Sequence, residues 1–275
     1  LIRRAVVRTA LSAVALLLPL GLPGVAVARS PLVAELEILA THYNENPARL
    51  DAVKDGLERA AQQDPDAETW IALSRVSFIW GDIRATTVEQ KLTAYAQGRD
   101  AGRQAIALAP RSALAHLFYG INTGRLGQTK GLTQSAFLLP EVREAVQKTL
   151  ELDPAMPAAY ALAGTVDYEV PALFGGSLGR AEELFRKGLE LDPHFTALRI
   201  GLARVLRRQG RLEDAQRELR LLLDEPAPTN PAEWTMRNVP EARVLLETLG
   251  AEGRTRLGVQ PRPLPPDAMR TRTDR

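Results

Sequence analysis

Three histidines, His42, His116 and His194, are the first side chains in this chain that could carry acid–base or metal chemistry. Each stands alone in the sequence, without an H-E-x-x-H pair or an Asp or Glu at ligand spacing, so no metal site is read. There is no Cys anywhere, which excludes a thiolate nucleophile, a disulfide and a lipid-acceptor thiol. No nucleophile elbow is read either, so no catalytic residue and no cofactor are assigned. "GRLGQTKG" around Lys130 looks like a phosphate loop, but that motif needs Gly-Lys followed by Ser or Thr after a buried strand, and Lys130 is followed by Gly131. Two readings of Lys130 stay open: a solvated loop lysine or a local anion contact. Gly175 and Gly176 are likewise either a tight turn that tolerates positive φ or a ligand cradle.

The elements that must position these residues announce themselves by repetition. "AAQQDP", "AIALAP", "TLELDP", "GLELDP" and "LLLDEP" end at Pro65, Pro110, Pro154, Pro193 and Pro226. The last interval matches a 34-residue tetratricopeptide period, and the earlier ones read as that period with insertions. About ten residues after each of the first four prolines comes a small residue, Ser74, Gly120, Gly164 or Ala203, where the two helices of a pair can approach. Proline cannot continue the second helix and turns the chain into the next repeat. The expected fold is all-α, a tetratricopeptide-type right-handed solenoid spanning residues 29–250. Its expected helices are Pro31–His42, Ala48–Gln63, Ala67–Trp80, Val88–Leu108, Ser112–Thr123, Glu141–Leu152, Pro157–Tyr168, Leu178–Leu191, Thr196–Arg208, Leu212–Asp224 and Val239–Leu249.

Composition suits a folded domain: 45% of the 275 residues are hydrophobic and 25% charged. Residues 1–28 read as a secretory signal peptide, with Arg3, Arg4 and Arg8 before an apolar run and Ala26 and Ala28 at a small-residue cleavage pattern. An uncleaved anchor is the other reading of that run, and no later segment is long and apolar enough to span a bilayer. The formal charge of +2 includes the three leader arginines, so the remainder is close to neutral and nucleic acid is not an expected partner. Residues 251–275 are rich in Pro and Arg without apolar period and are expected to be a disordered tail.

First helices of tetratricopeptide pairs line the concave groove at i, i+4, i+7 spacing. That rule selects Ile71 and Phe78, Leu117 and Ile121, and Thr165 and Tyr168, an apolar set suited to an apolar ligand or to a helix folded back into the groove. The insertions "GDIRATTVEQK", "GRLGQTKGLTQSAFLLP" and "EVPALFGGSLG" fall on one edge of the solenoid and are read as extended inter-helix loops. They contribute Trp80, Lys130, Phe174, Gly175 and Gly176 as candidates, with Trp80 and Trp234 also read as packing anchors.

The runs "IWGD", "YGINTGRLGQTKG", "PALFGGSLGRAEELFRKGLELDP" and "EPAPTNPAEWTMRNVPEARVLLETL" resemble the T-component family of exported tetratricopeptide proteins associated with TRAP transporters. A similar insertion appears, more weakly, in eukaryotic regulators of microtubule dynamics. The T-component resemblance implies a periplasmic, non-enzymatic helical protein with an apolar cavity, acting with an extracytoplasmic solute-binding protein. The functional expectation is therefore an exported binding protein for an apolar or amphipathic ligand or a partner segment. The alternative is a protein–protein assembly scaffold of the envelope whose groove is filled by its own chain.

Overall fold

The shared Asp-Pro and Ala-Pro endings terminate helices in the computed structural model, which describes residues 30–256. The residue before each of the first four prolines is a helix C-cap whose N–H still donates one turn back: Asp64 to Ala60, Ala109 to Ala105, Asp153 to Thr149 and Asp192 to Gly188. Asp153 and Asp192 then accept the N–H two residues on, from Ala155 at 3.0 Å and His194 at 2.9 Å. One dipeptide thus stops a helix and shapes the turn into the next.

Among the described residues twelve α-helical segments follow in order: α1 Pro31–His42, α2 Arg49–Gln63, α3 Ala67–Ile83, α4 Val88–Leu108, α5 Ala113–Lys130, α6 Leu132–Leu152, α7 Pro157–Glu169, α8 Leu178–Leu191, α9 Thr196–Arg208, α10 Leu212–Leu223, α11 Pro231–Glu233 and α12 Val239–Arg256. A 3-10 turn at Ala172–Phe174 precedes α8, and a π-helical turn at Trp234–Asn238 joins α11 to α12. Starts carry the expected caps. Asp66 and Ser112 accept backbone N–H groups of α3 and α5, Thr87 and Gln90 form a capping box on α4, and proline opens α1, α7 and α11. No strand occurs among the described residues.

The fold is the expected helical solenoid. Hairpins α3/α4, α5/α6, α7/α8 and α9/α10 stack in order, with α1 and α2 against the first and α12 against the last. The small-residue register holds at the pair interfaces. The Ser74 hydroxyl donates to the Gly98 carbonyl across α3/α4 at 2.7 Å, a Cβ on Gly120 would meet that of Ala145 across α5/α6 at 3.0 Å, and Gly164 abuts the Phe185 ring across α7/α8.

Two of the three expected loops are instead helix. "GRLGQTK" continues α5 by two turns and "LTQSAFLLP" begins α6, the two meeting at Gly131 with φ 100°. α3 likewise runs to Ile83, leaving a connection of Arg84–Thr87. These stretches include the poor helix formers Gly124, Gly127 and Pro140, so tertiary contact rather than propensity carries the extension: the two face one another as a long hairpin, with Gly127 so close to Ser135 that a Cβ would sit 3.1 Å from its Cα. The third insertion is a real loop. At the C-terminal boundary α12 continues to Arg256, past the expected limit at residue 250. The expected signal peptide and the rest of the expected tail lie outside the described residues.

Buried apolar residues form two cores. One joins α1–α4 and takes in Ala232; the other joins α7–α10 and α12. The α5/α6 hairpin lies between them, docked on α4 but touching α7 only slightly.

Candidate functional site

The concave face is crossed by the chain's own C-terminal segment. Asn230 donates its side-chain amide to the Ala40 carbonyl of α1 at 3.2 Å, and Arg237 pairs with Asp82 of α3 at 2.6 Å. Asn238 is buried and donates to the Thr196 hydroxyl at the start of α9 at 2.9 Å. Beyond it, Glu241 accepts from Arg204 Nε at 2.6 Å and Glu252 pairs with Arg207 at 2.5 Å, tethering α12, which packs on α10, to α9 as well. The Trp234 indole N–H donates to the Leu222 carbonyl at 2.8 Å and pins the turn to α10. Burial raises the pKa of Tyr43, with Glu233 adding to it, and burial also holds the Glu233 carboxyl above its usual range. Burial disfavours the charge on Arg237, but Asp82 and Glu233 outweigh it and raise the pKa.

Of the groove residues selected by spacing, Leu117 is core, and Ile71, Phe78, Ile121, Thr165 and Tyr168 are half-buried on their first helices. Arg125 lies 5.8 Å from the Phe78 ring centre, and Arg208 lies 3.8 Å from that of Tyr168 while donating to its carbonyl. The Thr165 hydroxyl donates to Ala161 within its own helix. None of the six lines either cavity described next.

One cavity, about 350 Å3, opens on the concave side where α3, α4, α5 and the π turn converge. Its charged lining is Asp82, Lys91, Arg125 and Arg237, completed by Tyr95, Gln128 and Thr129. Asp82, whose side chain is 8% exposed, accepts from the Tyr95 hydroxyl at 2.5 Å and from Arg125 at 3.0 Å in addition to Arg237. Burial and the Asp82 carboxylate both push the Tyr95 pKa up. The second cavity, about 620 Å3, lies where α6 stands away from α7. Val146, Leu150, Val166 and Leu184 give it apolar walls, and Arg143 and Arg180 stand at its rim.

The loop candidates separate by role. Gly175 adopts φ 84°, Gly176 donates to the Pro171 carbonyl, and a Cβ on Gly176 would run into the Val170 carbonyl oxygen. The double glycine is therefore a tight turn with close backbone approach. It is clamped from outside, with Arg180 on Asp167 and the Gly175 carbonyl and Arg143 on the Phe174 carbonyl at 2.9 Å. The Phe174 ring stays 54% exposed beside Leu173 at 87%. Trp80 anchors α3 on α2 through its N–H to Asp51 at 2.6 Å, with Lys54 over its ring. Lys130 is an exposed residue in the last turn of α5 rather than a loop residue.

Two sequence readings need correction at the level of single residues. His194 is not isolated: its Nδ1 lies 2.8 Å from Glu225, stitching the α8–α9 turn to the segment after α10. Gly175-Gly176-Ser177-Leu178-Gly179 does have the literal spacing of a nucleophile elbow. Ser177, however, is the N-cap of α8, accepting from the Arg180 N–H at 3.2 Å after a 3-10 turn, and no His or carboxylate among the described residues hydrogen-bonds to it. Spacing missed Asp82, Lys91, Tyr95, Arg125 and Arg237. Asp82 and Arg125 lie one turn beyond Phe78 and Ile121 on the same helix faces, so ending those helices at Trp80 and Thr123 cut them off.

Over residues 32–250 the sequence matches the family described as RMD1-3: Regulator of microtubule dynamics protein 1-3. It is 28% identical to regulator of microtubule dynamics protein 3 of Rattus norvegicus, over 80% of this chain and 53% of that protein. The same protein of Mus musculus is 27% identical over 81% and 54% respectively. The chain thus spans about half the length of the curated relatives it matches. Among solved structures, a thermophilic TPR protein from Thermus thermophilus superposes with a TM-score of 0.56 at 20% identity, covering 79% of this chain and 95% of that one, a likeness of fold alone.

These matches correct the T-component assignment, since the family match covers the very segments on which that resemblance rested. The periplasmic location falls with it, because the matched relatives are mammalian proteins and mammalian cells have no periplasm. An extracytoplasmic solute-binding partner finds no support in them. No helix among the described residues is long and apolar enough to cross a membrane. By its match over residues 32–250 the chain belongs to the regulator of microtubule dynamics protein 1-3 family.

Proposed function

We propose that this chain is a non-enzymatic interaction scaffold whose concave groove is filled by its own C-terminal segment and which engages a protein partner. The observation that carries this reading is the passage of Asn230–Asn238 across the concave face, with contacts to α1, α3 and α9. An apolar small ligand in the groove is the less favoured reading, because the concave cavity is lined by charged and polar side chains. A tetratricopeptide fold supports a protein partner, since stacked repeats present extended surfaces of fixed curvature. The relatives' name, regulator of microtubule dynamics, directs the search for that partner to microtubules and the proteins on them.

The test is co-sedimentation of the full chain with polymerised tubulin, beside native mass spectrometry of the gently purified protein. Pelleting with microtubules above the level of a basic control protein, and a mass equal to that of the polypeptide, are the expected results. Failure to pellet at low salt removes the microtubule part. An apolar molecule that co-purifies, leaves on denaturation and is lost in Ile121→Arg, a change in the groove and away from the α6–α7 cavity, overturns the self-filled groove.

A further inference from the structure

The concave cavity carries more positive charge than its own acid neutralises. Among the described residues Asp82 is the one carboxylate on its wall, facing Lys91, Arg125 and Arg237. Each arginine gives Asp82 part of a guanidinium that has five N–H groups in all. The other carboxylates that act on Arg237 are Glu233, one turn back on its own segment at 3.5 Å, and Glu241, one turn on and itself paired with Arg204; neither lines the cavity. Lys91 forms no ion pair with any described residue, and Gln128 adds a neutral amide donor at the same wall.

We propose that this cavity binds the carboxylates of an acidic segment of a protein partner, and that it is complete only while the C-terminal segment is docked. The inference rests on the interaction-scaffold reading above. Guanidinium forks match carboxylates two bonds at a time, and a site with three cations against one acid favours an incoming anion over an apolar group. A volume of about 350 Å3 accommodates one or two acidic side chains rather than a helix. The wall offers no aliphatic side chain for an acyl tail, and its one aromatic, Tyr95, is 3% exposed and unable to stack a base. Lys91 comes from α4, Arg125 and Gln128 from α5, and Arg237 from the far end of the chain, so binding and docking of the closing segment are thermodynamically linked.

The probes are acetylated, amidated hexaglutamate, its hexaglutamine counterpart and inorganic phosphate, each titrated into the full chain by calorimetry at low and physiological salt. Hexaglutamate is expected to bind with an affinity that falls with salt and to raise the melting temperature, and hexaglutamine is expected not to bind. Lys91→Glu is expected to weaken hexaglutamate at least tenfold without lowering the melting temperature, because Lys91 has no ion-pair partner among the described residues to lose and the new carboxylate faces Arg125 and Arg237. Arg237→Gln is expected to weaken binding and lower the melting temperature together. Equal binding of hexaglutamate by Lys91→Glu, or binding of hexaglutamine, overturns the proposal. Phosphate binding without hexaglutamate binding also overturns it and assigns the cavity to a free small anion. Microtubule pelleting that survives Lys91→Glu unchanged would leave the scaffold reading standing and take this cavity out of it.

Discussion

Phe185 occupies a slot with glycine on two walls. An ideal Cβ on Gly164 of α7 would sit 2.8 Å from its ring, and one on Gly201 of α9 would sit 2.5 Å from it. The ring is 1% exposed and central to the second core, so it cannot yield by turning to solvent. Glycine in a helix interior costs about 1 kcal/mol relative to alanine through backbone entropy, and a larger residue at Gly164 would recover some of that. The clash outweighs the gain, because the first side-chain carbon is already inside contact distance and the rest of a leucine has nowhere to go. Gly164→Leu is therefore expected to destabilise by about 1–3 kcal/mol, read from thermal or urea melts. An unchanged melt would show that α7 and α8 can separate there at no cost.

At the scale of the element, what the sequence made legible was periodic and local. Helix ends marked by a proline were placed within a residue or two, and the small-residue positions at the pair interfaces followed from the same count. What was hidden were the ends of α3 and α5, expected at Trp80 and Thr123, and the start of α6, expected at Glu141, where nothing local says whether a stretch belongs to the helix or leaves it. The decision there is tertiary: α5 and α6 extend because each covers the other, and Asp82 and Arg125 become opposed only as a result. Ion pairs between elements were equally invisible, since their partners lie far apart in sequence. Glu182 on α8 is the clearest, pairing with Arg211 of the α9–α10 turn at 2.7 Å while also accepting from Gln209 of that turn at 2.9 Å and from Arg186 of its own helix at 2.7 Å. Burial opposes its ionisation, but these three donors more than offset that and hold its pKa at about 2 against the usual 4.5. A carboxyl depressed by folding stabilises fully above its unfolded pKa and loses that contribution as the pH falls through its folded one. The stability advantage of wild type over Glu182→Gln, roughly 2 kcal/mol at neutral pH, is thus expected to shrink between pH 4.5 and about 2. Urea midpoints of both proteins across that range check it. A difference that stays constant would mean that the side chain acts by shape rather than by charge.

The whole molecule depends on how two cores are made into one body. The first is built from α1–α4, the second from α7–α10 and α12, and the intervening α5/α6 hairpin touches α7 only slightly. Between α6 and α7 lies the larger cavity, so the direct path from core to core is poorly packed. The closing segment supplies a second path. Ala232 is fully buried in the first core, Ala242 and Leu249 are buried in the second, and Asn230, Arg237 and Asn238 tie the segment to α1, α3 and α9. Elements coupled by little buried surface unfold separately, whereas a shared segment makes them melt together. Ending the chain at Thr229 leaves both hairpin stacks with most of their own contacts and removes that second path. The intact chain is expected to give one calorimetric transition whose van't Hoff and calorimetric enthalpies agree, and the shortened chain two, or one with a van't Hoff enthalpy well below the calorimetric value. If the shortened chain still melts as a single matched transition, the α5/α6 hairpin alone couples the cores. The segment across the concave face would then be a lid on the groove rather than the strut that holds the solenoid closed.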